Sequence, residues 1–339
     1  SYDADNKGRI TRWAAMAIKA KIYLFEGNWM QVKNITSTIM TEGGFKLFGS
    51  YAGLFEIANE YNSEVILDAQ YRPTSREHQM MYAFLPPSLG GYSQLSPLQE
   101  LVDSYIMLDG KTIKETGTSF DETHPYANRD PRLKATVMYT GNSYTLVDGT
   151  EVEINCEKGE GKDGYGVGSD CSATGYYIKK YWDNTYRATL YSGLNPILIR
   201  YADILLMNAE ALAELGELDK TAWDATIKSI RDRAGFTLAS AVEFPEGASK
   251  DKLIEIVRNE RRSELALEGH RHKDIIRWRI ADDVLNGWCH GLKTNEVVGT
   301  DNGYVRVENR AFNANRHYLW PIPQAERDLN GNLVQNPNW

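Results

Sequence analysis

Three carboxylates, Glu260, Glu264 and Glu268, follow one another at intervals of four residues among Arg261, Arg262, Arg271 and Asp274. Residues four apart share a helix face. Two carboxylates about 5–9 Å apart across an open cleft would be the machinery of a glycoside hydrolase. The surroundings argue for a different use. Leu253, Ile256, Val257, Glu260, Glu264 and Leu267 fall along one helical stripe, which makes Glu260 a partly buried acid that needs an arginine such as Arg200 or Arg277. The reading adopted is structural ion pairing. His270 and His272 with Asp274 invite a metal, but residues two apart point to different sides of a helix and no further Cys or His stands at ligand spacing. Asp163 and Asp170 lie in a glycine-rich stretch without the acid order of a calcium-binding EF-hand. There is no G-x-S-x-G elbow, P-loop or H-E-x-x-H. No catalytic residue, cofactor or metal is assigned.

A different chemistry is written in the aromatics. Tyr82, Phe84, Tyr92, Phe120, Tyr126, Tyr176, Tyr177, Tyr181, Trp182 and Tyr186 concentrate where no long helix needs them. Sugar rings present flat C–H faces that stack on such rings, while Asn, Asp, Gln and Arg at a rim meet the hydroxyls. Taken singly, each ring also has a packing role open to it.

The totals narrow the function classes. A formal net charge of −8 argues against a nucleic-acid groove or a polybasic membrane patch. No apolar run approaches the ~18 residues that span a bilayer. The hydrophobic share of 42% is ordinary for a globular chain, whereas 20 Tyr and 8 Trp are many for 339 residues. The start at Ser1, a few residues before a strong helix, hints at a fragment or processed product. Cys156 and Cys171 flank the glycine-rich stretch; a bridge and free thiols are both open, with Cys289 left over.

The elements that must position these residues are mostly helical. Asn195 to Gly216 predicts a long helix, with Asn195 as cap, Pro196 in the first turn and Gly216 as stop. Its polar residues Arg200, Asp203, Glu210 and Glu214 make one thin strip, so the helix should be buried between neighbours. Arg9 to Glu26 predicts another, with Trp13, Met16, Ala17, Ala20, Ile22, Leu24 and Phe25 as its apolar body and Arg12, Lys19 and Glu26 exposed. Each is followed by a glycine and a partner helix, Trp29 to Met40 and Lys220 to Arg233, and each pair closes on Gly-Phe. One helix–turn–helix unit is thus used twice, near the tetratricopeptide period, and two units are fewer than a free-standing solenoid needs. Shorter helices are predicted over 51–60 and 97–105, and longer ones over 249–268 and 272–285. Strands are predicted over 64–67, 134–139 and 143–146, the last two meeting at Gly141-Asn142. The fold class is mainly α: helical frame over 1–70 and 192–339, and a loop-rich, ligand-binding lobe with short strands over 71–191.

With these elements in place the chain resembles the SusD/RagB family of glycan-binding outer-membrane lipoproteins. The resemblance is carried by Gly8-Arg-Ile-Thr-Arg-Trp-Ala-Ala through Leu24-Phe-Glu-Gly-Asn-Trp29, by Glu64-Val-Ile, and by Pro97 to Tyr105 with Asp109-Gly110-Lys111. It continues in Asn128-Arg-Asp-Pro-Arg-Leu133, Gly175-Tyr-Tyr with Lys180-Tyr181, Arg200 to Ala211, Glu260 to Trp278, and Tyr318-Leu-Trp-Pro-Ile-Pro323 with Gln335-Asn336-Pro337. It implies a tetratricopeptide-like frame and non-catalytic binding of an oligo- or polysaccharide at the bacterial cell surface. A SusC-like TonB-dependent transporter is the implied protein partner. It also implies an N-terminal region with a lipidated cysteine outside this chain, the sole membrane contact. Similar proteins favour one side of the lobe, so Tyr82, Phe84, Tyr92 and Tyr126, then Trp182, are the expected ligand-binding residues. A transporter scaffold without a glycan site and a glycoside hydrolase are the alternatives.

Overall fold

The computed structural model describes residues 7–185 and 190–339. Two long helices open the chain, α1 (Arg12–Glu26) and α2 (Trp29–Glu42). Two 3-10 turns, Gly53–Phe55 and Ile57–Asn59, replace the helix expected there and lead to strand β1 (Val65–Asp68). The middle of the chain holds α3 (Met80–Phe84), α4 (Gln99–Ser104), α5 (Pro131–Thr136), β2 (Val137–Met138), β3 (Asn142–Thr145), β4 (Glu151–Ile154) and β5 (Tyr177–Ile178). Then come β6 (Ile197–Arg200) and the central helix α6 (Tyr201–Leu215). A partner helix follows, α7 (Lys220–Trp223), a π-turn over Asp224–Lys228 and α8 (Ser229–Ala234), with α9 (Ala239–Val242) after it. The long α10 (Lys250–Glu264) precedes α11 (Arg271–Arg277) and α12 (Ala281–Val284). A sheet of β7 (Gly287–Lys293), β8 (Thr300–Asp301) and β9 (Tyr304–Arg310), in the order β7-β9-β8, was not expected from sequence. The short α13 (Gln324–Leu329) lies in the C-terminal stretch, where Asn336 Nδ2 donates to Trp320 O at 2.6 Å.

The ends of α1 and α6 share one turn geometry. Gly27 ends α1 at φ 71°, ψ 20° and Gly216 ends α6 at φ 73°, ψ 26°, left-handed geometry that glycine adopts without strain. In both, the next residue's N–H reaches back five positions, Asn28 to Tyr23 O at 2.9 Å and Glu217 to Leu212 O at 2.8 Å. Small residues let α1, α2 and α6 approach, with Ala14, Ala17, Ala20 and Ala211 in a shared core. The outer face of α1 is not covered: Ile22 and Phe25, expected inside, are each 54% exposed.

The central helix begins later than its sequence signals suggest. Residues 197–200 are a strand, pairing Val65 with Arg200 and Asp68 with Ile197. The alternating β-branched Ile197 and Ile199 suit that strand. Asn195 does not cap a helix; its Oδ1 accepts the Tyr71 N–H at 2.6 Å. The 134–139 strand is likewise shorter, because Asp130 caps α5 through the Arg132 N–H and Pro131 fills its first turn. β2 pairs with β5, and β3 pairs with β4 around Asp148-Gly149, so Gly141-Asn142 is not the hairpin turn. Past α10, the predicted helices stop short of Glu268 and Leu285.

The loop-rich stretch has its own core of Met81, Phe84, Tyr105, Leu133, Val137, Tyr144, Tyr177 and Trp182. The frame core beside α6 and α10 holds Leu205, Leu206, Trp223, Ile227, Ile230 and Val257.

Candidate functional site

The carboxylates at four-residue spacing lie in a seam between these two cores. Glu260 meets Arg132 at 2.6 Å and Arg231 at 2.7 Å, not Arg200 or Arg277. Glu264 meets Arg132 at 2.8 Å, Arg200 at 2.6 Å and also Arg233. Glu268 takes Arg200 at 2.7 Å and Lys180 at 2.6 Å. Glu64 and Asp130 complete a set of five acids against five bases, through Arg200, Arg233 and Arg132. Burial alone would raise the Glu268 pKa, but Arg200 and Lys180 hold it at about 2; Arg233, Arg200 and Arg132 likewise hold Glu264 well below the carboxylate range. Burial pushes Lys180 down to about 8, which leaves it charged at neutral pH. A second set pairs Asp203, Glu210 and Asp274 with Lys21, Arg261 and Arg277. All three acids are buried, so the polar strip of α6 faces the interior at Asp203 and Glu210, as expected for a helix packed between neighbours. Buried and paired with cations, these acids offer no substrate access.

An open cleft of roughly 570 Å³ lies elsewhere, between the loop-rich stretch and the C-terminal sheet. Tyr126 and Tyr139 stack with ring centroids 3.9 Å apart at 19°. One face of the half-buried Tyr126 is thereby covered, and the residue lines the cleft. The Tyr126 and Tyr176 hydroxyls are 3.2 Å apart, and Tyr176 donates to Gln99 Oε1 at 2.5 Å. Gln99 in turn donates to Asp103 Oδ1 at 2.7 Å. Burial raises the pKa of Tyr126, Tyr139, Tyr176 and Tyr304, so the rings remain neutral phenols. Arg129 stiffens the 125–129 turn by donating to the carbonyls of Pro125, Val102 and Tyr105 at 2.8, 2.7 and 2.8 Å. At the rim Lys293 pairs with Glu122 at 2.6 Å. Glu122 and Glu157 are exposed, not in the apolar surroundings that keep a catalytic acid protonated. Neutral aromatic faces ringed by amides and hydroxyls suit a polyhydroxylated ligand.

His290 fastens two walls of this cleft together. Its Nδ1 is 2.7 Å from Glu100 Oε1 on α4 and its Nε2 is 3.0 Å from Asp301 Oδ2 on β8. Burial alone would lower the imidazole's pKa, but the hydrogen bonds to Asp301 and Glu100 prevail and raise it.

The expected ligand-binding residues divide three ways. Tyr126 lines the cleft. Tyr82 and Tyr92 form a separate stacked pair, 4.1 Å apart at 22°, with Tyr92 40% exposed. The chain folds back tightly to make it: a Cβ at Gly91 would lie 2.0 Å from Leu85 O. Phe84 and Trp182 present no ring face to a ligand. Phe84 stands about 200° around α3 from Tyr82, which points it into the core at 3% exposure. Trp182 is buried against Tyr144 and donates to Thr145 O at 2.9 Å. Tyr186 lies outside the described residues. Tyr139, Tyr304, Gln99 and Lys293 were not singled out from sequence, and Tyr304 falls in the part assigned to the frame.

The remaining expectations resolve simply. Cys156, Cys171 and Cys289 are free thiols. Asp163 is buried and accepts the Ser88 N–H at 2.8 Å, and its own carbonyl accepts the Tyr177 hydroxyl, so the glycine-rich stretch is pinned to the core. Burial pushes His270 down to about 4, and Asp274 is engaged by Arg261 and Arg277. Among the described residues no helix is long and apolar enough to cross a membrane.

Comparison with known proteins agrees over the length of the chain. The SusD family profile matches residues 54–339. SusD-like protein P25 of Formosa agariphila is 27% identical over 99% of this chain and 60% of its own length. A SusD-like carbohydrate binding protein of Bacteroides fragilis superposes with a TM-score of 0.85 at 31% identity, covering 98% of this chain and 66% of that one. A second SusD-like protein of that species gives 0.82 at 28% identity, covering 100% and 67%. The chain therefore spans about 60% of the curated relative's length, and it belongs to the SusD family.

Proposed function

We propose that this SusD-family chain binds an oligo- or polysaccharide without catalysis, in the cleft formed by Tyr126, Tyr139, Tyr176 and Tyr304. The observation that carries the reading is the stacked Tyr126–Tyr139 pair beside an unbroken Tyr126–Tyr176–Gln99 hydrogen-bond chain, in a cleft within the usual ligand-pocket range of about 300–1,000 Å³. A sugar ring stacks on the free face of Tyr126, and its hydroxyls meet Gln99, Asn295, Thr294 and the Lys293–Glu122 pair at the rim. Tyr82 and Tyr92 serve as an outlying platform for longer chains. Shallow stacking of this kind gives dissociation constants from about millimolar to micromolar. The relative from Bacteroides fragilis bears the description of a carbohydrate binding protein, in line with this reading.

The tetratricopeptide-like frame docks the complex to a SusC-like TonB-dependent transporter, and the loop-rich lobe over 71–191 faces the glycan. The protein thereby works at the outer face of a bacterial outer membrane, anchored through lipid outside this chain. Affinity electrophoresis on a polysaccharide panel tests the site: retardation on one neutral glycan that disappears in Tyr126→Ala and Tyr304→Ala supports it. New reducing ends in the incubated polysaccharide would instead indicate hydrolysis.

A further inference from the structure

A second open cavity, about 550 Å³, is set into the helical frame between the end of α6, one stripe of α10, and the segment from Arg271 to Ile280. Asp251, Glu255, Arg258 and Arg262 follow at intervals of four, three and four, so they line one face of α10. The stripe is polarised. Asp251 and Arg262 are eleven residues apart, about 16 Å along the helix. That exceeds the screening length of about 8 Å at physiological salt.

The acids near this cavity are engaged or distant. Glu255 pairs with Lys252 at 3.1 Å, and Glu214 accepts from Arg258 at 3.1 Å. Glu100 turns its carboxylate to His290, and Asp274 is held by Arg261 and Arg277. At the basic end, among the described residues, Arg258 is closed by Glu214 while Arg262 and Arg271 have no ion-pair partner. Arg271 makes no side-chain hydrogen bond or ion pair among the described residues, and its guanidinium lies 6.0 Å from the Trp278 ring centroid. Arg262 donates to the Glu100 carbonyl alone. Arg258 sits over the Trp278 ring at 4.9 Å, with its Nε buried and unpartnered. Burial and the charge of Arg271 push Arg262 down to about 10, against the opposing pull of Glu100 and Asp103. Beside them Ile254, Ile280 and the edge of Trp278 give an apolar wall.

We propose that the basic end of this cavity binds a carboxylate carried on a sugar ring, a hexuronate unit, at a site separate from the tyrosine cleft. Planar guanidinium forks match a carboxylate in two-point contact, and the apolar wall meets the ring's C–H face. The tyrosine cleft differs in that its one lysine is already paired with Glu122, which suits neutral sugars.

Saturation-transfer NMR on the whole chain with D-glucuronate, D-glucose, L-glutamate and acetate tests the assignment. Glucuronate should give a signal that weakens with added salt and falls about tenfold or more in apparent affinity in Arg271→Ala and in Arg262→Gln. Tyr126→Ala should leave it unchanged, which separates this site from the neutral-glycan reading. Arg271 has no partner to orphan, so its variant should keep the parent melting temperature, and Arg262→Gln retains a donor for the Glu100 carbonyl. Glucuronate signals that persist in both arginine variants, or equal binding of glutamate or acetate, would overturn the proposal.

Discussion

The seam under α6 and α10 and the tyrosine cleft are built from opposite solutions to the same problem, polar groups inside a protein. In the seam each of the four glutamates has two or more cationic partners, Glu264 touching Arg132, Arg200 and Arg233, while Asp130 is held by Arg132. Their carboxylates and guanidinium groups are turned to one another and away from solvent. In the cleft the hydrogen bonds run in a line, Tyr126 to Tyr176 to Gln99 to Asp103, and ring faces and rim groups remain open. Carboxylates at helical spacing could look catalytic in sequence, yet they pair inside the fold, whereas neutral phenols scattered over about 180 positions line the cleft proposed to bind a glycan. Arg132 and Lys180 tie the loop-rich stretch to the helical frame through the seam. Both come from the loop-rich stretch, and both end in frame acids, Glu260, Glu264 and Glu268.

The sharpest way to break the comparison is to remove one charge from the seam. Glu264→Gln leaves Arg132, Arg200 and Arg233 short of a buried counter-charge and should cost about 3–5 kcal/mol in urea unfolding. A loss under about 1 kcal/mol would show that the seam relaxes around a missing charge. Acid should act on the same group of residues. Glu268 has a folded pKa near 2 against an ordinary 4.5, so its contribution is present above about pH 4.5 and is lost as pH falls toward 2. Melting temperature followed from pH 6 to 2 should drop through that window.

Next in size is the cleft. Tyr126→Ala should abolish glycan binding while lowering stability by only about 1–3 kcal/mol, the scale of one partly buried ring. The reverse pattern, intact binding with a large stability loss, would make Tyr126 a core residue.

The His290 clasp should behave oppositely to the seam. Its folded pKa is raised, so its contribution is full below the ordinary value near 6.5 and is lost as pH rises through the folded value. Melting temperature should decline across that rise in the parent and stay flatter in His290→Gln. The smallest effect belongs to Tyr82→Ala and Tyr92→Ala, which should melt close to the parent. Weaker retardation on long polysaccharide, with short oligosaccharide binding unchanged, is the outcome that keeps them as an outlying platform.

The fold was legible where a local signal and a tertiary contact agree. Gly27 and Gly216 end their helices as their sequence predicts, and Asn128 to Leu133 stands out because Arg129, Asp130 and Arg132 each hold a buried partner. It was illegible where a distant strand overrode local capping, as β1 does at Asn195 to Arg200. The Asp130-Pro131 pair was a readable helix start that the apolar pattern after it obscured. The site was harder. Its tyrosines come from positions 126, 139, 176 and 304, which no spacing rule connects, and exposure separated Tyr82 from Phe84 only once the helix face was known.

Affinity electrophoresis of the parent, Tyr126→Ala and Glu264→Gln on one panel of neutral polysaccharides tests the division between seam and cleft most directly. The division predicts retardation of the parent on at least one glycan, its loss in Tyr126→Ala, and its retention in whatever Glu264→Gln protein remains folded. Retardation undiminished in Tyr126→Ala, or none for the parent on any glycan, would contradict it.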